Sequence, residues 1–223
     1  MSFLNGLYGI SDSAFGDPVT LGQALLEAHP CALQLRCKTW PLARIEAVLR
    51  TLHPLCKEKG VPLIVNDHPA LAALADGLHL GQDDGPIDRS RLPDHCIVGR
   101  STHNIEQALE AVSEGADYLG FGPLFVTKTK STGYTARGLE SLREVVSAVE
   151  VPVVAIEGVA PEHIHNIQET GAAAWAPISS ILADKDPGLK AQMFRRFASD
   201  TPPGHLPQAE SRSATQGVRE SGG

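Results

Sequence analysis

Short apolar runs alternate with longer amphipathic stretches along most of this chain. The runs occupy residues 7–11, 32–36, 62–65, 77–80, 96–99, 118–121, 151–156 and 174–178. Segment 151–156 (VPVVAI) is a continuous apolar run of strand length. Between the runs, segment 42–57 carries apolar residues at Leu42, Ile45, Val48, Leu49, Leu52 and Leu55, and this three-and-four spacing predicts a helix. The same test predicts helices over 104–114 and 140–149, and Pro161 with Glu162 beside it marks the first turn of another.

Eight such alternations without a hairpin signal predict a parallel sheet in an α/β fold. Eight is also the number of units that closes a (β/α)8 TIM barrel, for which about 200 residues is the short end. An open doubly wound sheet is the second choice, but no GxGxxG follows the first run. From Ser199 the sequence turns rich in Pro, Gly, Ser and charge, which cannot bury a core. We therefore expect one barrel domain over 1–198 and a disordered tail over 199–223.

Composition narrows the function. A hydrophobic content of 42% in 223 residues supplies one sizeable core. The formal charge of −7 argues against general affinity for nucleic acid or anionic membrane, yet leaves room for a local basic pocket. Cys31, Cys37, Cys56 and Cys96 form no CxxC pair and read as small buried hydrophobes in a reducing compartment. The start MSFLNGLYGISD lacks a signal-peptide pattern and no run is long enough to span a bilayer, so a cytoplasmic location is expected.

The ends of the apolar runs carry the chemistry. In LIVNDHPALAALADGLHLGQDD (63–84), two successive runs finish in carboxylates, at Asp67 and at Asp83-Asp84. Charge at the edge of a core is costly unless water, a partner or a metal satisfies it. In a barrel, the loops after the strands meet at one face, where the active site lies. That face would collect Gln34, Arg36 and Lys38, then Asn66 and Asp67, then Asp84 and Ser101. It would also collect the run GPLFVTKTKSTG with Thr127, Lys128, Thr129 and Lys130, and finally Gly158, Ile178 and Ser179. Arg36, Lys38 and Lys130 suit phosphate oxygens. Asp67 and Asp84 are hard oxygen ligands of the kind that hold Mg2+ together with water and substrate phosphates. Two anion-binding clusters with a metal between them suggest phosphorylated small molecules as partners, one a diphosphate and the other a monophosphate.

The ordered motifs LYGISD, QLRCK, NDH, GLHLGQDD, GRSTHN, GADYLGFGPLFVTKTK and VPVVAIEGV resemble the thiamine phosphate synthase family, from residue 7 to about residue 182. The resemblance implies a (β/α)8 barrel. It also implies a transferase that joins a hydroxymethylpyrimidine diphosphate to a thiazole phosphate with release of pyrophosphate. By that resemblance Gln34, Leu35, Arg36, Cys37, Lys38, Asn66, Ser101 and Lys130 would hold the pyrimidine diphosphate. Asp67 and Asp84 would bind Mg2+. Thr127, Lys128, Thr129, Gly158, Ile178 and Ser179 would hold the thiazole phosphate. Arg36, Lys38 and Lys130 would neutralise the departing pyrophosphate.

Several positions depart from the family pattern. Where IGGI is usual, the chain has Ile156-Glu157-Gly158-Val159, and Trp175-Ala176-Pro177 replaces small aliphatic residues in the eighth unit. A carboxylate about 4 Å from a phosphate is repulsive by about 4 kcal/mol at an effective dielectric of ~20. Arg100, in GRSTH, resembles the related thiazole tautomerases, so an isomerase and a non-catalytic binding barrel stand as alternatives. An ion pair between Arg100 and Glu157 across the barrel mouth would offset the Glu157 charge. His103 reads equally as an acid–base group or a loop histidine, and His79 as a satisfied core histidine.

Overall fold

In the computed structural model, which describes residues 4–125 and 136–199, eight parallel strands pair in chain order and close on themselves. They are β1 (Gly6–Asp12), β2 (Ala32–Arg36), β3 (Leu63–Asn66), β4 (Gly77–Leu80), β5 (Ile97–Thr102), β6 (Tyr118–Phe121), β7 (Val153–Ile156) and β8 (Ala174–Ala176). Closure is made by β1 against β8, with Gly6 opposite Ala174 and Leu7 opposite Trp175. The fold is therefore the expected α/β barrel, and every predicted apolar run is a strand of it.

Around the strands lie α1 (Pro18–Leu26), α2 (Leu42–Lys59), α3 (Ile105–Ser113), α4 (Gly138–Ala148), α5 (Ile164–Glu169), α6 (Ser179–Leu182) and α7 (Pro187–Ser199). The start of α3 is capped by Asn104, whose side chain accepts from the Gln107 amide. The end of α2 is closed by Gly60 in the left-handed region, which fixes where the chain turns into β3. After β3 and β4 only short 3-10 turns follow, over Pro69–Leu74 and Arg89–Arg91. Asp67 follows β3 directly and Asp84 lies four residues beyond β4, so both stay close to the barrel rim.

Strand alternation sorts the core into two layers. Leu4, Tyr8, Ile10, Ala32, Ile64, Tyr118, Val154, Ala174 and Ala176 fill the lumen. A larger set, including Leu33, Leu35, Val65, Leu78, Val98, Leu119 and Trp175, packs between strands and helices. Trp175 thus points away from the lumen, so this departure from the family pattern thickens the outer layer instead of intruding on the site. The 199–223 tail lies outside the described residues except for Ser199. Among the described residues no helix is long and apolar enough to cross a membrane.

Candidate active site

The strand C-terminal ends open into a cavity of about 240 Å3 whose polar lining includes Gln34, Arg36, Asn66, Asp67, Asp84 and Ser101. β2 delivers Gln34 and Arg36 to this mouth because they alternate with Leu33 and Leu35, which are buried in the outer layer. Arg36 ion-pairs with Asp12 at the end of β1, and Asp12 also accepts from the Ala14 amide at 2.9 Å. The guanidinium is therefore aimed before any ligand arrives. Sequence reasoning passed over Asp12, although LYGISD ends in a carboxylate as the third and fourth runs do. Leu35 and Cys37 both turn their side chains into the outer layer, so only the backbone of the QLRCK segment faces the mouth there.

Lys38 lies 3.3 Å from the Asp67 carboxylate and bridges the ends of β2 and β3. Asp67 adopts a left-handed backbone (φ 63°), a conformation that Asp tolerates better than most residues. Its amide donates to the His79 carbonyl at 2.9 Å, which keeps it level with the end of β4. Asp84 stands beside it, after the neighbouring strand β4, and accepts from the Gly81 amide at 2.6 Å. Partial desolvation, and beyond it the neighbouring Asp67 charge, holds the Asp84 carboxyl above its ordinary value, although the Gly81 amide pulls it down. Two neighbouring carboxylates are a donor set suited to a divalent cation. Among the described residues no group of three or more His, Cys, Asp or Glu side chains is placed to hold a metal. A two-carboxylate site completed by water and phosphate oxygens is the Mg2+ pattern. The buried Nδ2 of Asn66 has no partner and marks the same mouth as built to receive an acceptor.

Below the mouth runs a buried chain of hydrogen bonds. Gln34 Nε2 donates to the Tyr8 hydroxyl at 3.1 Å, and the Tyr8 and Tyr118 hydroxyls lie 2.7 Å apart. The Tyr118 hydroxyl is 3.0 Å from His79 Nδ1, and His79 Nε2 is 2.9 Å from Ser101 Oγ. His79 is thus a satisfied core histidine, and burial pushes its pKa down to about 4. Burial likewise holds both tyrosines far above their usual range. The chain is neutral at physiological pH and gives the cavity a polar but uncharged floor. Glycines make room for it, since a Cβ on Gly99 would fall 2.0 Å from Tyr118 Cζ.

On the far side, Glu157 and Ile178 line the cavity. Glu157 (φ 63°) and Gly158 (φ 76°) form a left-handed turn after β7, and a Cβ on Gly158 would meet the Phe125 carbonyl at 2.5 Å. The Phe125 ring stacks on His163 with centroids 3.7 Å apart. Ser179 begins α6, and Ser180 Oγ donates to the Val159 carbonyl at 2.6 Å, joining the last two loops. Thr127, Lys128, Thr129 and Lys130 lie outside the described residues. His103 bonds the Gly122 carbonyl through Nδ1, and its amide donates to Gln107 Oε1 at 2.8 Å.

The expected Arg100–Glu157 ion pair is not formed. On β5, Gly99 and Ser101 face the lumen, so alternation sends Arg100 to the outer face, where Nη2 donates to the Gly85 carbonyl at 2.6 Å. Glu157 stands at the mouth, on the other side of the sheet.

The sequence model of the thiamine monophosphate synthase family matches residues 7–181. The chain belongs to that family. Membership makes it an enzyme with a transferase role in thiamine biosynthesis. It is 38% identical to a thiamine-phosphate synthase of Caldivirga maquilingensis over 88% of this chain and 97% of that one. It is 36% identical to one from Pyrococcus horikoshii over 87% and 95% respectively. The solved thiamine phosphate pyrophosphorylase of Pyrococcus furiosus superposes with a TM-score of 0.81 at 32% identity, over 89% of this chain and 96% of that one. A geranylgeranylglyceryl phosphate synthase of Thermoplasma acidophilum superposes at 0.64 with 12% identity, a likeness of fold alone.

Proposed function

We propose that this barrel condenses 4-amino-2-methyl-5-(diphosphomethyl)pyrimidine with thiazole phosphate, giving thiamine phosphate and pyrophosphate by dissociative displacement. The observation that carries this reading is the convergence of Arg36, Lys38, Asn66, Asp67, Asp84 and Ser101 on one mouth above an uncharged polar floor. Asp67 and Asp84 would hold Mg2+, which when bound supplies positive charge against the oxygens of the leaving diphosphate. Arg36, fixed by Asp12, presents its fork to the same oxygens without having to reorganise, as electrostatic stabilisation requires. Lys38, paired with Asp67, adds a point charge at the rim, and Lys130 would supply a third cation for the diphosphate.

The floor suits the pyrimidine. Gln34 and Ser101 offer hydrogen-bonding groups held by Tyr8 and His79, while Ile10, Val154 and Ile156 give apolar walls for a flat ring. A neutral His79 places no positive charge beside a pyrimidine methylene that becomes cationic as the C–O bond breaks. The thiazole nitrogen then captures that carbon, so no protein nucleophile takes part. Ile178, the Gly158 turn, Ser179 and Thr127–Thr129 would position the thiazole phosphate, and such positioning supplies much of the remaining rate. The isomerase alternative drew on Arg100, which stands outside the lumen, so no observation favours it.

The test is a condensation assay following thiamine phosphate and pyrophosphate together, with and without Mg2+. Both products should form only with Mg2+, and Asp67→Ala or Asp84→Ala should lower kcat/KM about a thousandfold, or ~4 kcal/mol of transition-state stabilisation. Tight binding of the pyrimidine diphosphate without either product would identify a barrel that binds and does not condense. That outcome would overturn the reading.

A further inference from the structure

Arg100 occupies a place where a charged residue needs an explanation. The outer face of β5 packs against the helical layer, and the residues beside Arg100 in register are Leu80 and Leu119, both buried. Arg100 itself is only 9% exposed. Among the described residues it makes no ion pair, although Glu110 and Glu114 line the same cavity of about 420 Å3 behind the strand. Its Nη2 instead donates to a backbone carbonyl, that of Gly85, and its Nη1 is buried without a partner. Burying a guanidinium for one backbone bond is costly for the fold, so the arrangement calls for a reason beyond stability.

What it holds is the loop carrying Asp84. Gly81 to Asp84 form a tight turn, closed by the Asp84 amide to the Gly81 carbonyl at 3.2 Å and by the Asp84 carboxylate to the Gly81 amide. Gly85 follows in the left-handed region (φ 76°), and Asp83 to Pro86 are exposed. An exposed turn of this kind is mobile unless tied down. The tie to Arg100 is charge-assisted, about twice as strong as a neutral hydrogen bond. It runs to the residue next to Ser101, which His79 fixes from the lumen side.

We propose that Arg100 is a positioning residue, a strut through the barrel wall that sets the distance between the Asp84 carboxylate and Ser101. This rests on the reading of Asp84 as a Mg2+ ligand. Supporting residues behind a metal ligand change metal affinity by about 10- to 100-fold when removed.

The experiment compares full-length wild type with Arg100→Leu, Arg100→Lys and Val98→Ala. Val98 is fully buried on the same outward face of β5 and controls for lost packing. Amide hydrogen exchange is read at residues 82–85, and pyrophosphate binding is titrated calorimetrically at graded Mg2+. Arg100→Leu should speed exchange in the loop about tenfold and raise the half-maximal Mg2+ about tenfold. Arg100→Lys should recover much of both, because an ammonium still reaches a carbonyl. Val98→Ala should lower Tm and move neither. If the leucine variant does not fold, Arg100→Gln takes its place.

Unchanged exchange and unchanged Mg2+ dependence in the leucine variant, or equal changes in Val98→Ala, would overturn the proposal. Wild-type protein that binds pyrophosphate with Mg2+ but forms no thiamine phosphate would defeat the synthase reading alone, and the strut would stand or fall on the variants. Wild-type protein without Mg2+-dependent pyrophosphate binding would overturn both.

Discussion

Two carboxylates at the mouth share an unusual backbone, Asp67 and Glu157, both at φ 63°. For Asp67 the conformation is tolerable and serves to turn the side chain toward Asp84. For Glu157 it is less favourable, and a non-glycine residue there costs roughly 1 kcal/mol or more. Glu157→Gly should therefore stabilise the fold by about 0.5–1 kcal/mol in urea unfolding, the relief of strain exceeding the entropy a glycine adds to the unfolded chain. It should also lower the KM for thiazole phosphate several-fold by removing a like charge from the mouth. An unchanged KM would mean that the phosphate sits out of reach of this carboxylate. His79 yields a pH prediction. Its pKa is about 4 in the fold against about 6.5 in an unfolded chain, so the unfolded state binds more protons between those values. The stability is fully present above pH 6.5 and is lost as pH falls toward 4, by up to about 3 kcal/mol. An NMR titration of the imidazole checks it, and His79→Gln should flatten the unfolding profile over the same window.

Elements explain why some of this was legible in the sequence and some was not. Each strand was visible because barrel strands are buried on both faces and read as apolar runs, and Asp67 and Asp84 were visible because two successive runs, the third and the fourth, end in carboxylates. Helix α1 was not singled out, since Pro18 and Gly22 interrupt its period, although Asp17 caps it through the Thr20 amide. Gly22 is there because a Cβ would fall 2.9 Å from Leu52 on α2. The Arg100–Glu157 pairing failed for a simpler reason: strand alternation places neighbours in sequence on opposite faces, and Ser101 had already claimed the lumen. The Tyr8–Tyr118 bond joins residues 110 apart in sequence, and no local pattern announces it. Its trace is the glycine at position 99, and Gly99→Ala tests that link. The added methyl would drive Tyr118 aside, so the variant should lose about 2–4 kcal/mol in denaturant unfolding, from overpacking and from hydroxyls left unpaired. A near-native stability would show that Tyr118 has room to move.

At the scale of the whole molecule, closure depends on the last helix. α7 packs against α1 and β1, covering the seam where β8 meets β1, and Phe194 is fully buried there. Arg195 donates to the Ala28 carbonyl at 3.2 Å across the same seam. Phe194→Ala should cost about 3–5 kcal/mol, measured by chemical unfolding. A much smaller loss would mean that the seam is held by strand pairing alone. The allocation of site residues to strands has one more consequence. In the proposed assignment the diphosphate and metal groups stand on or just after β2 to β5, with Lys130 the one exception, while the groups for the second substrate follow β6, β7 and β8 in sequence. Inheritance can therefore act on the two arcs separately. A hybrid with its first five units from this chain and its last three from a relative that has a lysine matching Lys130 and glycine in place of Glu157 would keep the proposed diphosphate pocket and exchange the other, so acceptor preference in this lineage is open to change by recombination at the β5–β6 boundary.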